Sequence, residues 1–253
     1  IIDSHAHLYL SDENLDSLIK KAISTNINHI INIGINLETS IKALEQSKKY
    51  PNIISATIGI HPGETQDLSK INDIKTLIKS NSFVAMGEMG LDYVKMYAPK
   101  QKQWKCFETQ LQLASELKMP IIIHNRHADE DILAITRNFP NVPKILHCFS
   151  SSIKFAESII DNNTFFSFSG QITYSKKGKT LTALKNIPLK HIMIETDTPY
   201  LTPKSFQGQR NEPSFITNTL NHIINHRNED KKEIISTIFN NTKQFFNLKK
   251  LLN

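Results

Sequence analysis

Eight short runs rich in Ile and Phe recur along this chain, each followed by a longer stretch of helical period, and this alternation is what most restricts the fold. The runs are Ile1–Ser4, His29–Ile33, Ile53–Gly59, Phe83–Glu88, Pro120–His124, Lys144–Phe149, Thr164–Ser169 and His191–Glu195. Several are apolar at consecutive positions, as a strand must be when both of its faces are covered. Between them, Leu15, Leu18, Ile19, Ala22 and Ile23 make one apolar helix face, and Trp104, Phe107, Leu111 and Ala114 make another. Phe215, Ile216, Thr219, Leu220, Ile223 and Ile224 mark the helix after the last strand. A further helix carries Ile234, Ile235, Ile238, Phe239, Phe245 and Phe246 on its buried side. Strand-helix units of this kind imply a parallel sheet under a helical layer. Eight of them close most naturally into a (β/α)₈ barrel of the TIM type with one extra terminal helix, and the 253 residues suit that size. No linker, low-complexity tract or detailed repeat divides the chain, so one domain over residues 1–253 is expected. An open doubly wound sheet is the alternative, but neither a GxGxxG nor a Walker sequence supports it.

The balance of 39% hydrophobic and 21% charged residues provides for a sizeable core. Apolar stretches such as Ile30–Ile35 fall far short of the ~20 residues that span a bilayer. With no basic-then-apolar leader before the first strand, a cytoplasmic location is expected, without membrane or obligate protein partners. Cys106 and Cys148 form no CxxC, and both read as buried packing residues, with Cys148 turned out into the helix layer if His147 points inward. The net charge of +6 suits a polyanionic partner, although a chain this rich in Ile, Lys and Asn also fits simple compositional bias.

The polar residues locate the chemistry. His5 and His7 lie at the end of the first strand, His61 follows the third, Glu88 ends the fourth, His124 ends the fifth, His147 lies near the end of the sixth, and Asp197 comes two residues after the eighth. In a barrel all these ends share the C-terminal face, where active sites are built. His at i and i+2 on an extended segment point to one side, so His5 and His7 can grip one cation. Glu88 has two oxygens and can bridge two cations, His124 and His147 can serve the second, and Asp197 can sit against an activated water. Any one of these histidines alone would more simply be a satisfied structural residue. Four histidines able to serve as ligands and two carboxylates gathered at one barrel end are hard to explain that way. His29 and His191 at strand starts, and His222 and His226 on a helix, receive no function.

The motifs carry a resemblance. Ile2-Asp3-Ser4-His5-Ala6-His7-Leu8, Gly59-Ile60-His61-Pro62, Gly87-Glu88-Met89-Gly90-Leu91-Asp92-Tyr93 and Pro120-Ile121-Ile122-Ile123-His124-Asn125-Arg126 resemble the TatD family of metal-dependent DNases. So do His147-Cys148-Phe149-Ser150, Glu195-Thr196-Asp197-Thr198-Pro199-Tyr200-Leu201 and Gly208-Gln209-Arg210-Asn211-Glu212-Pro213. The resemblance implies that His5, His7, Glu88 and Asp197 hold one metal and Glu88, His124 and His147 the other. It also implies that His61 contacts substrate phosphate, and that the activity is a DNase acting from a 3′ end. Ser151 stands where the family usually has Gly, and Met89 where it usually has Ile.

On this basis two divalent ions (Mg, Mn or Zn) would activate a water for in-line attack on a DNA phosphate, with Asp197 taking the proton. Arg126 and Arg210 are candidates to hold phosphate oxygens, against the plainer role of loop-fixing ion pairs. Tyr93 and Tyr200 could stack bases, with rim packing as the plainer role, and Asp92 reads as a supporting or loop-capping residue. The alternatives are an ester or amide hydrolase on the same site, such as an aminoacyl-tRNA deacylase, and an inactive binding barrel. No expected ligand or base is missing to suggest the latter.

Overall fold

The computed structural model describes residues 1–248; the last five residues of the expected domain lie outside that range. Its strands are β1 (Ile2–Ala6), β2 (His29–Asn32), β3 (Ile54–Ile58), β4 (Ala85–Asp92), β5 (Ile121–Arg126), β6 (Lys144–Leu146), β7 (Thr164–Phe168) and β8 (Ile192–Ile194). Helices α1 (Leu15–Ser24), α2 (Leu37–Lys49), α3 (Ile71–Ser80), α4 (Lys100–Leu117), α5 (Asp129–Thr136), α6 (Ile153–Ile159), α7 (Lys179–Asn186) and α8 (Ile216–Ile224) follow the strands in turn, and α9 (Lys231–Phe245) is the extra one. Neighbouring strands pair in parallel in the order β1 to β8. Met86 lies opposite Ile121, Ile122 opposite Ile145, and Phe166 opposite Ile192. The ring closes at its seam, where the Asp197 N–H donates to the His5 carbonyl at 2.8 Å and the His7 N–H donates to the Thr198 carbonyl at 2.7 Å. No helix among the described residues is long and apolar enough to cross a membrane.

Two apolar clusters show which way the strands face. Ile30, Ile54, Ile58, Ile121, Ile123, Phe166 and Ile192 pack against helix residues such as Leu18, Phe107 and Ile223, forming the layer between barrel and helices. Ile31, Ala85, Ile122, Ile145 and Met193 come from strands all round the ring yet share one cluster with Phe245, Phe246 and Leu248. Only the barrel lumen can bring them together, and the C-terminal aromatics close its floor. Since side chains alternate along a strand, lumen-facing Ile122 and Ile145 put His124 and His147 inside as well, one step nearer the C-terminal end. Side-chain caps start several helices: Asn14 accepts from the Asp16 N–H on α1, and Asn36 and Thr39 make a reciprocal box on α2, contacts worth ~1 kcal/mol each.

Some expectations need correction. β4 continues to Asp92, so Glu88 lies within a strand instead of ending it. β6 stops early, leaving His147 on the segment that follows, and β8 ends one residue sooner than expected, with Asp197 beyond it as the sequence implies. Ile23 is exposed, because one further residue carries it 100° past Ala22 and off the face that meets the barrel. Cys106 is buried as expected, but Cys148 is not in the helix layer. Its backbone is left-handed (φ 45°), which breaks the strand alternation, and it lines the cavity at the C-terminal end of the barrel, its thiol 3.2 Å from Ser169 Oγ.

Candidate active site

Glu88 is the centre of the site. Glycines on either side bring β4 against β5: a Cβ on Gly90 (φ 138°) would lie 2.1 Å from the His124 carbonyl oxygen, and one on Gly87 (φ 146°) would lie 2.7 Å from Ile122 Cβ. That approach lets His124 Nδ1 reach Glu88 Oε1 at 2.7 Å, and His147 Nε2 meets the same oxygen at 2.8 Å. The other oxygen, Oε2, lies 3.4 Å from His5 Nε2 and 3.7 Å from His7 Nε2. Asp197 Oδ1 lies 3.7 and 3.6 Å from the same two nitrogens. Asp197 has a left-handed backbone (φ 59°), which Asp tolerates better than most residues and which brings its carboxylate into the mouth from beyond β8. One carboxylate thus offers each of its oxygens to a different set of imidazoles.

The surroundings tune these groups in opposite directions. Burial lowers His5 to about 4 and His61 to about 3, so both are neutral near pH 7. Burial acts the same way on His147, yet Glu88 and Glu195 outweigh it and hold the imidazolium well above the ordinary range. Burial opposes ionisation of Glu88 too, but His147, His124 and His5 keep its carboxyl well below the usual range. Glu195 is wholly buried; its Oε1 accepts the Cys148 N–H at 2.8 Å and its Oε2 accepts the Ser167 hydroxyl. Its Oε1 also lies 3.4 Å from His147 Nδ1, in ion-pair range but off a hydrogen-bonding angle.

These donors fit a divalent cation. His5 and His7 present their Nε2 atoms to each other at 3.3 Å. Together with Glu88 and Asp197 they give donor separations of 3.3–3.7 Å. Ligands at ~2.1 Å from a tetrahedral ion lie roughly 3.4 Å apart. His5, His7 and Glu88 therefore converge as a triad that could hold a cation, and His61, Glu88 and His124 form a second such cluster of donor atoms. On that second side His124 and His147 are drawn into direct hydrogen bonds with Glu88.

The remaining expected residues fall in different places. His61 lies 3.7 Å from Glu88 Oε1, and its Nδ1 accepts the Gly63 N–H at 2.9 Å, so neutral His61 carries its proton on Nε2. Arg126 lines the cavity, half-exposed, 3.9 Å from Asp92 Oδ2. Asp92 caps its loop through the Val94 and Lys95 N–H groups and supports His124 Nε2 at 3.3 Å, combining the two roles expected of it. Arg210 is drawn away, holding Asp12 and the Leu10 carbonyl. Tyr93 is packed at the rim: its hydroxyl joins Asp131 and Trp104, and Lys100 covers its ring at 4.0 Å. Ser151 donates to Asp129, which also receives Asn125, so its hydroxyl ties the loop after β6 to the start of α5. Sequence reasoning missed Glu195 and Tyr97. Glu195 stands directly after β8 and two residues before Asp197, a position that could have revealed it.

The cavity over these groups measures about 570 Å³ and opens at the C-terminal face. A parallel eight-stranded barrel with convergent His and carboxylate groups at that face defines the metal-dependent hydrolases of this architecture. Comparison narrows the class: the family model described as TatD related DNase matches residues 2–247, and the chain belongs to that family. It is 36% identical over 98% of its length to 99% of the uncharacterized metal-dependent hydrolase YabD of Bacillus subtilis. It is 30% identical, over 93% of this chain and 94% of the relative, to the 3′-5′ ssDNA/RNA exonuclease TatD of Edwardsiella piscicida. The crystal structure of YJJV, a TatD homolog from Escherichia coli K12, superposes with a TM-score of 0.91 at 26% identity, covering 98% of both chains.

Proposed function

We propose that this metal-dependent hydrolase cleaves phosphodiester bonds of nucleic acid, DNA foremost, removing nucleotides from a 3′ end. The observation that carries this reading is Glu88, whose two oxygens face separate imidazole sets at the base of one open cavity. His5, His7, Glu88 and Asp197 would hold one divalent cation (Mg, Mn or Zn) and Glu88, His124 and His147 the other, a pair able to acidify a water and neutralise charge on the attacking and leaving oxygens. Asp197, at the seam and exposed to the cavity, accepts the proton of the attacking water. His61 offers an uncharged Nε2–H to a phosphate oxygen. That proton argues against His61 as a cation ligand despite its place beside Glu88 and His124. Arg126 supplies a guanidinium fork to the phosphate from the rim. Arg210 takes part only if a phosphate oxygen displaces Asp12.

The test is a time course of 5′-labelled single-stranded DNA with metal-stripped protein, adding back Mg, Mn or Zn, with Glu88→Ala in parallel. A ladder of shortened products that needs the cation and is absent in Glu88→Ala is the expected result. Intact DNA with every cation, although the protein binds them, would overturn the nuclease reading and favour an ester or amide substrate such as aminoacyl-tRNA.

A further inference from the structure

Among the described residues seven large apolar or aromatic side chains are exposed, and five stand on loops at the catalytic end: Val94, Met96 and Tyr97 after β4, Tyr174 after β7 and Tyr200 after β8. Single exposed apolar residues are ordinary, but five at one end of the barrel are a concentration that calls for a partner. Tyr97 and Tyr200 line the cavity itself. In a ring of eight strands β4 and β8 stand four places apart, so the loops after them bring these two residues to the cavity from opposite walls. The Tyr97 ring lies 6.2 Å from that of His61, and the Tyr200 ring 6.3 Å from that of His7, so the two flank Glu88 and its imidazoles.

Both residues are held in place. Tyr97 leans on Gly63, where a Cβ would come within 3.2 Å of its ring. Tyr200 is fixed through its backbone, its N–H donating to the Asp197 carbonyl at 2.8 Å and its own carbonyl accepting from Asn211 Nδ2. Yet they remain 57% and 54% exposed. Restrained, half-open aromatic faces are what unpaired bases stack on. Lys95 lies 6.0 Å from the Tyr97 ring and Arg126 lines the same cavity, adding the positive charge that a phosphate backbone requires.

We infer that Tyr97 and Tyr200 are base platforms, one for the nucleotide on each side of the scissile phosphate; this rests on the phosphodiesterase reading above. Bases on opposite walls cannot remain paired or stacked on each other, so the platforms select unpaired strand ends. The test compares kcat/KM for a short oligonucleotide with that for bis(p-nitrophenyl) phosphate, a diester without bases. Tyr97→Ala and Tyr200→Ala should each lower the ratio of the two by roughly 5- to 100-fold, and Tyr→Phe at either site should restore it. An abasic nucleotide on one side of the scissile bond should cost the wild type the same factor and cost one alanine variant nothing more, which assigns each ring its base. Alanine variants with the wild-type ratio would overturn the platforms and leave the phosphodiesterase reading intact. Turnover of neither substrate with any cation would sink that reading instead. Fluorescence of a 2-aminopurine strand then reads the platforms directly: quenching on wild type that is lost in the alanine variants supports them, and unquenched binding or no binding overturns them.

Discussion

The lumen of this barrel is two environments stacked on one axis. Its lower half is apolar, with Ile31, Ile122, Ile145 and Met193 sealed by Phe245 and Phe246. Its upper half carries His124 and His147, each two residues beyond Ile122 or Ile145, and Glu88, three beyond Ala85, with His5 and His7 beside them. Below, the apolar side chains need only one another. Above, imidazole lone pairs and a carboxylate crowd one another and need protons or cations between them. The contrast teaches how labour is divided: the lower half contributes stability, and the upper half holds a costly arrangement that is useful only for chemistry.

Two substitutions test that division. Glu88→Ala should lower kcat/KM by on the order of 10⁴-fold, because it strips both proposed ligand sets of their shared member. A loss of less than about tenfold, in an assay free of contaminating nuclease, would remove Glu88 from the centre of the mechanism. Phe246→Ala should do the converse. Opening a cavity at a residue only 2% exposed costs roughly 3–5 kcal/mol and lowers the melting temperature by about 10 °C, while turnover per folded molecule stays near wild type. Thermal melts paired with initial rates at low temperature read both quantities. A variant that melts normally but turns over poorly would show that the floor is coupled to the chemistry.

The two halves were not equally legible in the sequence. Position at the ends of the strand runs placed His124 and His147 at the C-terminal face, and in the structure each lies two residues beyond a lumen-facing isoleucine, Ile122 or Ile145. Strand alternation failed at Cys148, where a left-handed residue ends the period, and no run of side-chain types signals a positive φ at a cysteine. Arg210 and Tyr93 were each left with two roles, because neighbouring motif residues alone does not say which way a side chain turns. Asp12 and Asp131, from segments remote in sequence, decide for the plainer one, an ion pair for Arg210 and rim packing for Tyr93. Tyr97 went unnoticed because it lies on a loop with no periodicity, and only the opposition of β4 and β8 across the closed ring gives it a role.

Glu195 joins the two halves, and its effect should be smaller. Its carboxylate is wholly buried beneath His147, anchored by the Cys148 N–H and the Ser167 hydroxyl. A buried carboxylate within ion-pair range of an imidazole proposed to hold a cation fixes the orientation of that ring and raises its basicity. Glu195→Gln should therefore weaken divalent-cation affinity by roughly 10- to 100-fold with little change in the fold. Competition against a chromogenic chelator, checked by circular dichroism, measures this without turnover, and unchanged affinity would reduce Glu195 to packing.

The smallest effect belongs to the lower half, where one titratable group lies buried away from any cation. His29 shares the strand face of Ile31; its Nε2 is bonded to Ser55 Oγ at 2.8 Å and its Nδ1 has no partner. Burial pulls its pKa down to about 4, from an ordinary value of 6.5. Between those values the unfolded chain takes up a proton that the folded chain refuses. The contribution of His29 to stability is thus complete above pH 6.5 and is lost as the pH falls toward 4. His29→Gln removes the titration, so its urea-unfolding free energy should drop less between pH 7 and pH 5 than that of the wild type, by roughly 1–2 kcal/mol. The other buried histidines titrate in both proteins and cancel in the difference. Parallel free-energy curves over that interval would mean that a proton reaches His29 in the folded state, and the floor would then be less dry than its apolar lining implies.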